Sequence, residues 1–302
     1  MKRLFLCVIL VVSVMMFESM VMQNIAADLQ SIQRTIKQLR QLHMPLPAPG
    51  PSDWLANHYE GGQTFKQYIK SRPVKPTFDR NVIYIQPLGN FIGRKKEIIS
   101  ITAEFIRAYF GLPVRVRKPV DITDLPHRAQ RRHPTWGIEQ VSTTYILKDI
   151  LKPKRPDNAI AYLALTNKDL FAGKNNNFVF GQAFIRHRIG VWSLYRNGNP
   201  DEGSKEYLEC LVRTMKTAVH EIGHMLGLNH CIAYQCVMNG SNNRAESDRR
   251  PITLCPECMG KICWSCDITP RERYRRLIAF CKKYKFDELA LFYAESMKRL
   301  KQ

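Results

Sequence analysis

Three histidines and a glutamate lie close together in the stretch HEIGHMLGLNH, which runs from position 220 to position 230. His220 and His224 are one helical turn apart, so on an α-helix both imidazoles point to the same side. Gly227 is predicted to end that helix, because glycine readily adopts the left-handed conformation that turns the chain back. The turn would bring His230 to the same point. Three histidines with one open position are typical of a catalytic zinc site, and the spacing predicts that His220, His224 and His230 bind this zinc.

Glu221 follows the first histidine and is predicted to be the general acid/base. Zinc lowers the pKa of its bound water to about 7 and polarises a carbonyl group, and Glu221 would move the proton from that water to the leaving amine. A bare HExxH motif also occurs by chance on surface helices. Here the glycine and the third histidine are in register, which favours a zinc metallopeptidase that cleaves peptide bonds by glutamate-assisted attack of zinc-bound water. The other histidines lack such spacing and are expected on the surface or in loops: His43, His58, His127, His133 and His187.

The cysteines cluster after the histidine motif: of nine in the chain, six lie between positions 231 and 266. Such clustering favours metal binding over scattered disulfides. Four of them, spaced C-x4-C-x18-C-x2-C, can form a closed tetrahedral structural site: Cys231, Cys236, Cys255 and Cys258. Cys263 and Cys266 form a second C-x2-C pair. This pair could compete for the structural zinc, bind another ion, form a disulfide, or remain free and silent.

The elements that must position these side chains form an α/β pattern. Strand-like runs at 81–88, 114–120, 159–166, 178–184 and 189–195 alternate with helical spacing at 98–110 and 141–151, and a long helix is predicted from about Lys205 to Leu226. This order indicates a compact fold with a mixed twisted sheet, an active-site helix and a C-terminal cysteine segment. The predicted organisation has four parts: a hydrophobic segment at 1–27, a helix and proline-rich linker at 28–51, a catalytic domain including the cysteine segment at 52–268, and a helical tail at 269–302.

The net charge of +20 favours acidic partners, although a basic surface without a dedicated partner accounts better for basic residues that are spread out in short runs. A second functional hypothesis is therefore a zinc-containing basic protein that binds nucleic acid or acts as a scaffold, with weak or no peptidase activity. The densest basic runs are not interleaved with aromatic residues, as single-strand binding surfaces are. We therefore expect a peptide or protein substrate, no nucleic acid, and a monomeric chain.

The histidine motif followed by the four cysteines resembles the archaemetzincin family, most closely its eukaryotic archaemetzincin-2 type. The resemblance rests on HEIGHMLGLNHCIAYQCVMNGSN, on DRRPITLCPECM, and on the upstream runs PSDWL, NVIYIQPLG, NFVFGQA and GVWSL. It implies a metzincin-like α/β fold and two zinc ions, one catalytic at the histidines and one structural at Cys231, Cys236, Cys255 and Cys258. Metzincins also place a methionine turn beneath the metal. Met238 is the candidate here, with an ordinary core methionine as the alternative. The run Phe178–Ala183 is a candidate substrate-aligning edge strand, or a plain core strand.

Two features bear on the cellular compartment and point in different directions. Residues 4–17 are apolar behind a basic start, which is typical of a signal peptide or, if uncleaved, an anchor, and no stable membrane span is expected after processing. The family resemblance instead suggests the cytoplasm, where thiolates stay reduced. The sequon Asn239-Gly240-Ser241 lies beside the proposed methionine turn, where a glycan would crowd the site.

Overall fold

A computed structural model describes residues 29–173 and 177–300 of the chain. The apolar run at 4–17 lies outside them. The described residues form eight strands: β1 (Val82–Leu88), β2 (Val114–Val116), β3 (Gln130–Arg132), β4 (Glu139–Ser142), β5 (Ala159–Thr166), β6 (Asp169–Phe171), β7 (Gly181–Phe184) and β8 (Ile189–Ser193). The helices are α1 (29–39), α2 (Trp54–Asn57), α3 (Phe65–Lys70), α4 (Gly93–Phe110), α5 (Thr143–Tyr145), α6 (Ser204–Met225), α7 (Arg244–Arg249), α8 (Pro256–Cys266), α9 (Pro270–Lys283) and α10 (Asp287–Arg299).

The main sheet has five strands in the order β2-β1-β5-β8-β7. All neighbours are parallel except β7, which runs antiparallel to β8 at the edge of the sheet. A smaller sheet has the order β3-β4-β6. The structure thus confirms the predicted α/β class with a mixed sheet.

Both faces of the main sheet are buried, as is usual for parallel strands covered on two sides. Ile83 and Ile85 of β1 face one core with α4, α6 and the C-terminal helices. Val82 and Tyr84 face a second core with the segment around Leu147. The alternation follows from the period of two along a strand, which sends successive side chains to opposite faces.

The segment 141–151 differs from the single helix that its spacing predicts. Its first residues belong to β4, and α5 continues directly into a π-helix over Ile146–Leu151. The apolar side chains still point inwards, since Ile146, Leu147 and Leu151 are fully buried. Apolar spacing alone therefore identified the buried face but not the strand that precedes it.

The N- and C-terminal helices pack onto the body that carries the histidine motif. Ile32 and Ile36 of α1 lie against Gly260 of α8, while α9 packs against α4 and α10 against α9. Within the described part of the chain, no helix is both long and apolar enough to cross a membrane.

Candidate active site and cysteine cluster

Helix α6 carries His220 and His224 one turn apart and ends where the sequence predicts. Gly227 has φ +88, in the left-handed region. Its amide donates to the His224 carbonyl at 2.9 Å, and the amide of Leu228 donates to the Gly223 carbonyl at 3.0 Å. These bonds satisfy carbonyl groups of the last helical turn and reverse the chain. The reversal brings His230 back towards the first two histidines.

The structure brings the three predicted histidines together. One ring nitrogen from each of His220, His224 and His230 lies within 4.8 Å of the others, and the Nε2 atoms of His220 and His224 are 3.0 Å apart. With Zn–N bonds of about 2.0–2.1 Å, two ligands of a tetrahedral site would be separated by roughly 3.3 Å. The spacing of the rings is therefore close to that of a zinc site.

The remaining nitrogen of each ring has an acceptor of its own. His220 Nδ1 lies 2.8 Å from the Val237 carbonyl oxygen, and His224 Nδ1 lies 2.7 Å from that of Leu228. These carbonyls require Nδ1–H donors, so in the neutral rings the two Nε2 lone pairs face each other. Burial lowers the pKa of His224 to about 4 and that of His220 well below its usual value. Two neutral nitrogens with facing lone pairs are complementary to a cation, so these residues fit a metal ion.

The third histidine is oriented by a residue that the motif did not reveal. His230 Nδ1 lies 2.6 Å from Glu60 Oε1, across a sequence separation of 170 residues. Trp54 contacts the His230 ring edge-on, with centroids 5.4 Å apart. Trp54 belongs to the PSDWL run that carried part of the resemblance, whereas Glu60 had no sequence signal.

Glu221 lines the same cavity as the histidines and is buried beside Gly181 at the start of β7. A Cβ at position 181 would lie 3.0 Å from Glu221 Oε1 and 2.9 Å from the Val191 carbonyl oxygen. Burial raises the pKa of the Glu221 carboxyl to about 8. The carboxyl therefore lies in a close-packed position that lines the same cavity as the three rings.

Met238 lies beneath the histidine-bearing turn of α6. It is fully buried. Its sulfur would be 2.6 Å from a Cβ at Gly223, the residue directly before His224. Glycine at 223 thus allows the close approach of Met238 to the helix backbone. The neighbouring Val237 carbonyl accepts a hydrogen bond from His220, so this segment contacts both the backbone of α6 and the first histidine.

The four predicted cysteines also come together. One sulfur from each of Cys231, Cys236, Cys255 and Cys258 lies within 4.8 Å of the others, and those of Cys231 and Cys255 are 3.6 Å apart. Hydrogen bonding from the Cys236 thiol, and then from Cys255 and Cys258, lowers the pKa of Cys231. Zn–S bonds of about 2.3 Å would separate two tetrahedral sulfurs by roughly 3.8 Å. The cluster is therefore compatible with a closed zinc site.

Main-chain amides point at these sulfurs. Cys236 Sγ accepts from the amides of Met238 and Cys255 at 3.4 and 3.3 Å, and Cys255 Sγ accepts from the amide of Cys258 at 3.4 Å. Such bonds stabilise negative charge on sulfur, which is the form that binds a metal. The loop is tied by Asn239, whose Oδ1 accepts from Cys236 N, while its Nδ2 donates to the Cys231 and Tyr234 carbonyls. The side chain of Asn239, the asparagine of the sequon, is thus buried and hydrogen-bonded within the loop.

Cys263 and Cys266 lie apart from this cluster. Both are buried free thiols on α8, and Cys263 contacts the sulfur of Met259 at 3.4 Å. In residues 29–173 and 177–300, the histidine triad and the four cysteines are the groups of His, Cys, Asp and Glu that could hold a metal. Of the alternatives left open for this pair, the structure favours free core cysteines.

A cavity of about 600 Å³ opens over the triad and extends along α6. His58 lies in its wall, stacked on Trp54 with ring centroids 3.7 Å apart. His43 and His133 lie in loops, as the sequence predicts, but both are less than one-tenth exposed. Cationic side chains also line the cavity and were not predicted. Lys216, one helical turn before His220, could have been found from its i−4 spacing, whereas Arg244 could not.

Comparison with known proteins agrees with this arrangement. The model of peptidase family M54 matches residues 146–263. Archaemetzincin-2 of Rattus norvegicus is 32% identical over 269 residues, which cover 78% of this chain and 74% of that protein. The archaemetzincin of Archaeoglobus fulgidus is 37% identical over 180 residues, covering 60% of this chain and 98% of that one.

Among solved structures, the archaemetzincin of Methanopyrus kandleri matches with a TM-score of 0.51 and 28% identity. The match covers 64% of this chain and 99% of that protein. The described fold around the histidines is therefore similar to that of an experimentally determined archaemetzincin.

Proposed function

Because the chain belongs to the archaemetzincin family of metallopeptidases, we propose that it hydrolyses peptide bonds with Glu221 as the general acid/base beside a zinc ion held by His220, His224 and His230. The observation that carries the proposal is the convergence of three histidine nitrogens next to a buried carboxyl group. We propose a second, structural zinc at Cys231, Cys236, Cys255 and Cys258, where four sulfurs converge.

When bound, zinc would supply a Lewis acid that acidifies water and polarises the scissile carbonyl. Glu221 would accept the proton of the attacking water and then donate it to the departing amine nitrogen. The Nδ1 bonds of His220 and His224 hold both rings in the tautomer that leaves Nε2 free.

Strand β7 would align the substrate as an added strand. It is the terminal strand of the main sheet, one of its edges pairs with β8, and its residues are half-exposed. Gly181 and Gln182 line the cavity that contains Glu221. A peptide bound antiparallel to β7 would therefore pass directly over the carboxyl group and the histidines.

The substitution Glu221→Gln tests this mechanism. We expect peptide hydrolysis to fall by about 100-fold or more, since general-base catalysis contributes about 10²–10⁴-fold, while zinc content measured by mass spectrometry stays at the wild-type value. Glu202→Gln, which changes an exposed carboxylate, is the matched control. A Glu221→Gln protein as active as wild type would disprove the role of Glu221.

A further inference from the structure

The cavity over the triad continues towards the N-terminus of α6 and becomes cationic there. Lys216 and Thr217 lie one helical turn before His220 and Glu221. Arg244, the first residue of α7, and Arg250, the residue after its end, line the same part of the cavity. Lys216 and Arg250 are each less than one-tenth exposed, and Arg244 is largely buried.

These cations outnumber the carboxylates that could neutralise them. Arg250 pairs with Glu246 at 3.5 Å, but Glu246 also accepts from the amides of Trp54 and Asn242. Asp248, the other acidic residue of α7, is already paired with Arg213 at 2.7 Å. A surplus of positive charge therefore remains at this end of the cavity.

Lys216 and Arg244 are held by neutral partners. Lys216 Nζ donates to the carbonyl oxygens of Ser247 and Arg250. Arg244 Nη2 donates to Asn197 Oδ1 at 2.7 Å, and its guanidinium lies 4.1 Å above the Phe180 ring. Within 29–173 and 177–300, neither cation has a carboxylate oxygen within 4.0 Å.

Two of these cations also have hydrogen-bond donors without acceptors among the described residues. The Nε atoms of Arg244 and Arg250 are buried and have no partner among the described residues. Burial lowers the pKa of Lys216 to about 8 and that of Arg244 to about 10, because the loss of hydration outweighs the attraction of Asp248. A carboxylate entering the cavity would offset this loss through charge-assisted hydrogen bonds.

We propose that Lys216, Arg244 and Arg250 form an anion-binding subsite that receives a carboxylate of the peptide substrate. This inference rests on the proposed peptidase function and adds a substrate class to it. Acidic peptides would be preferred, with the carboxylate supplied by an Asp or Glu side chain or by a free C-terminus.

The topology also indicates on which side of the cleaved bond the carboxylate lies. Phe180 stacks on Arg244, Gly181 lies beside Glu221, and Ile185, just after β7, lines a second cavity with His224 and His230. β7 therefore runs from the cationic end, past Glu221, towards His224. A peptide antiparallel to it runs in the opposite direction, so the carboxylate belongs to the C-terminal side of the cleaved bond.

Matched internally quenched peptides, with Glu or Gln in the residue after the cleaved bond, test the subsite on the full chain. We expect kcat/KM to favour Glu by about 10-fold or more, the size of a hydrogen bond to a charged group. Arg244→Met should bring the ratio close to one, and Arg244→Lys should restore part of it. Lys205→Met, which removes an exposed cation from α6 outside the cavity, should keep the wild-type ratio.

Binding of fluorescein-labelled Glu and Gln peptides to the Glu221→Gln protein supplies a readout that needs no catalysis. Affinity for the Glu peptide with an amidated end indicates side-chain recognition, whereas affinity only for peptides with a free end indicates C-terminal recognition. The subsite proposal is overturned, although hydrolysis persists, if Glu and Gln peptides bind and react equally and if peptides with free and amidated C-termini do so as well. If no peptide is hydrolysed but the Glu peptide still binds more tightly, the peptidase proposal fails and the subsite survives.

Discussion

The main-chain amide of Cys231 donates a hydrogen bond to the carbonyl oxygen of Met238 at 2.8 Å. Cys231 directly follows His230 and belongs to the four-sulfur cluster, while Met238 lies against Gly223 beneath the histidine-bearing helix. One hydrogen bond therefore joins the loop that leaves the third histidine to the segment that supports the other two. The two proposed zinc sites share this piece of backbone, so loss of zinc from one site should weaken zinc binding at the other.

Loss of the cysteine site should weaken the histidine site. We expect Cys255→Ser to reduce bound zinc from two ions per chain to one, and to lower the affinity of the remaining site, because the Cys231 loop no longer holds His230 in place. Zinc content by mass spectrometry and competition with a chelator measure the two effects.

Cys263→Ala is the matched control, since it alters a buried cysteine of the same helix that lies outside the cluster. It should retain two zinc ions. A wild-type chain that binds a single zinc, or a Cys255→Ser chain that keeps both, would contradict the two-site proposal.

Glycine at 223 should be required for packing, even though alanine usually stabilises a helix by about 1 kcal/mol over glycine. An alanine Cβ would lie 2.6 Å from Met238 Sδ. We expect Gly223→Ala to lower the free energy of unfolding by about 1–3 kcal/mol, the usual range for overpacking. Urea denaturation at saturating zinc gives this value.

Met238→Ala in the same chain shows whether this particular contact is responsible. Alone it should lower the free energy of unfolding by about 2–5 kcal/mol, because it leaves a cavity. Combined with Gly223→Ala it should cost less than the sum of the two single changes, because the alanine methyl group at 223 occupies part of that cavity. Strict additivity would mean that Met238 is not the neighbour that excludes a side chain at 223.

Glu60 should act as a positioning residue for His230, to which it lies within 2.6 Å. We expect Glu60→Ala to weaken zinc binding at the histidine site by about 10–100-fold, the effect usual for an outer partner of a ligating histidine. Glu60→Gln, which keeps an acceptor oxygen, should lose less. Isothermal titration of zinc-depleted protein measures the affinity, with exposed Glu288→Gln as the control. An unchanged affinity in Glu60→Ala would exclude this role.

Gly181 should be needed for hydrolysis more than for folding. Its Cβ would crowd both Glu221 Oε1 at 3.0 Å and the Val191 carbonyl oxygen at 2.9 Å. We expect Gly181→Ala to reduce kcat by about 10-fold or more, since a displaced base loses much of its contribution, while zinc content is retained. Gly50→Ala, where a Cβ would meet Asp53 at an ordinary 3.6 Å, should be as active as wild type. Wild-type kcat in Gly181→Ala would show that Glu221 tolerates displacement.

The candidate metal ligands could be predicted because their relationships are local. His220 and His224 share one face of α6 through helical periodicity, and Gly227 ends the helix through its own conformational freedom. The C-x2-C spacing of Cys255 and Cys258 similarly places two sulfurs together at the start of α8. The alternating apolar runs also sufficed to predict the α/β class, because strand periodicity is a property of neighbouring residues.

Only the tertiary structure decided which distant residues complete the site. Glu60 reaches His230 across 170 positions, and Arg244 joins Lys216 on the walls of one cavity. No local periodicity encodes such contacts, since they depend on how α2, α7 and the sheet edge pack around α6. The same packing buries Lys216 and Arg244 without a carboxylate partner, and thereby turns two of the many basic residues in the sequence into the proposed subsite.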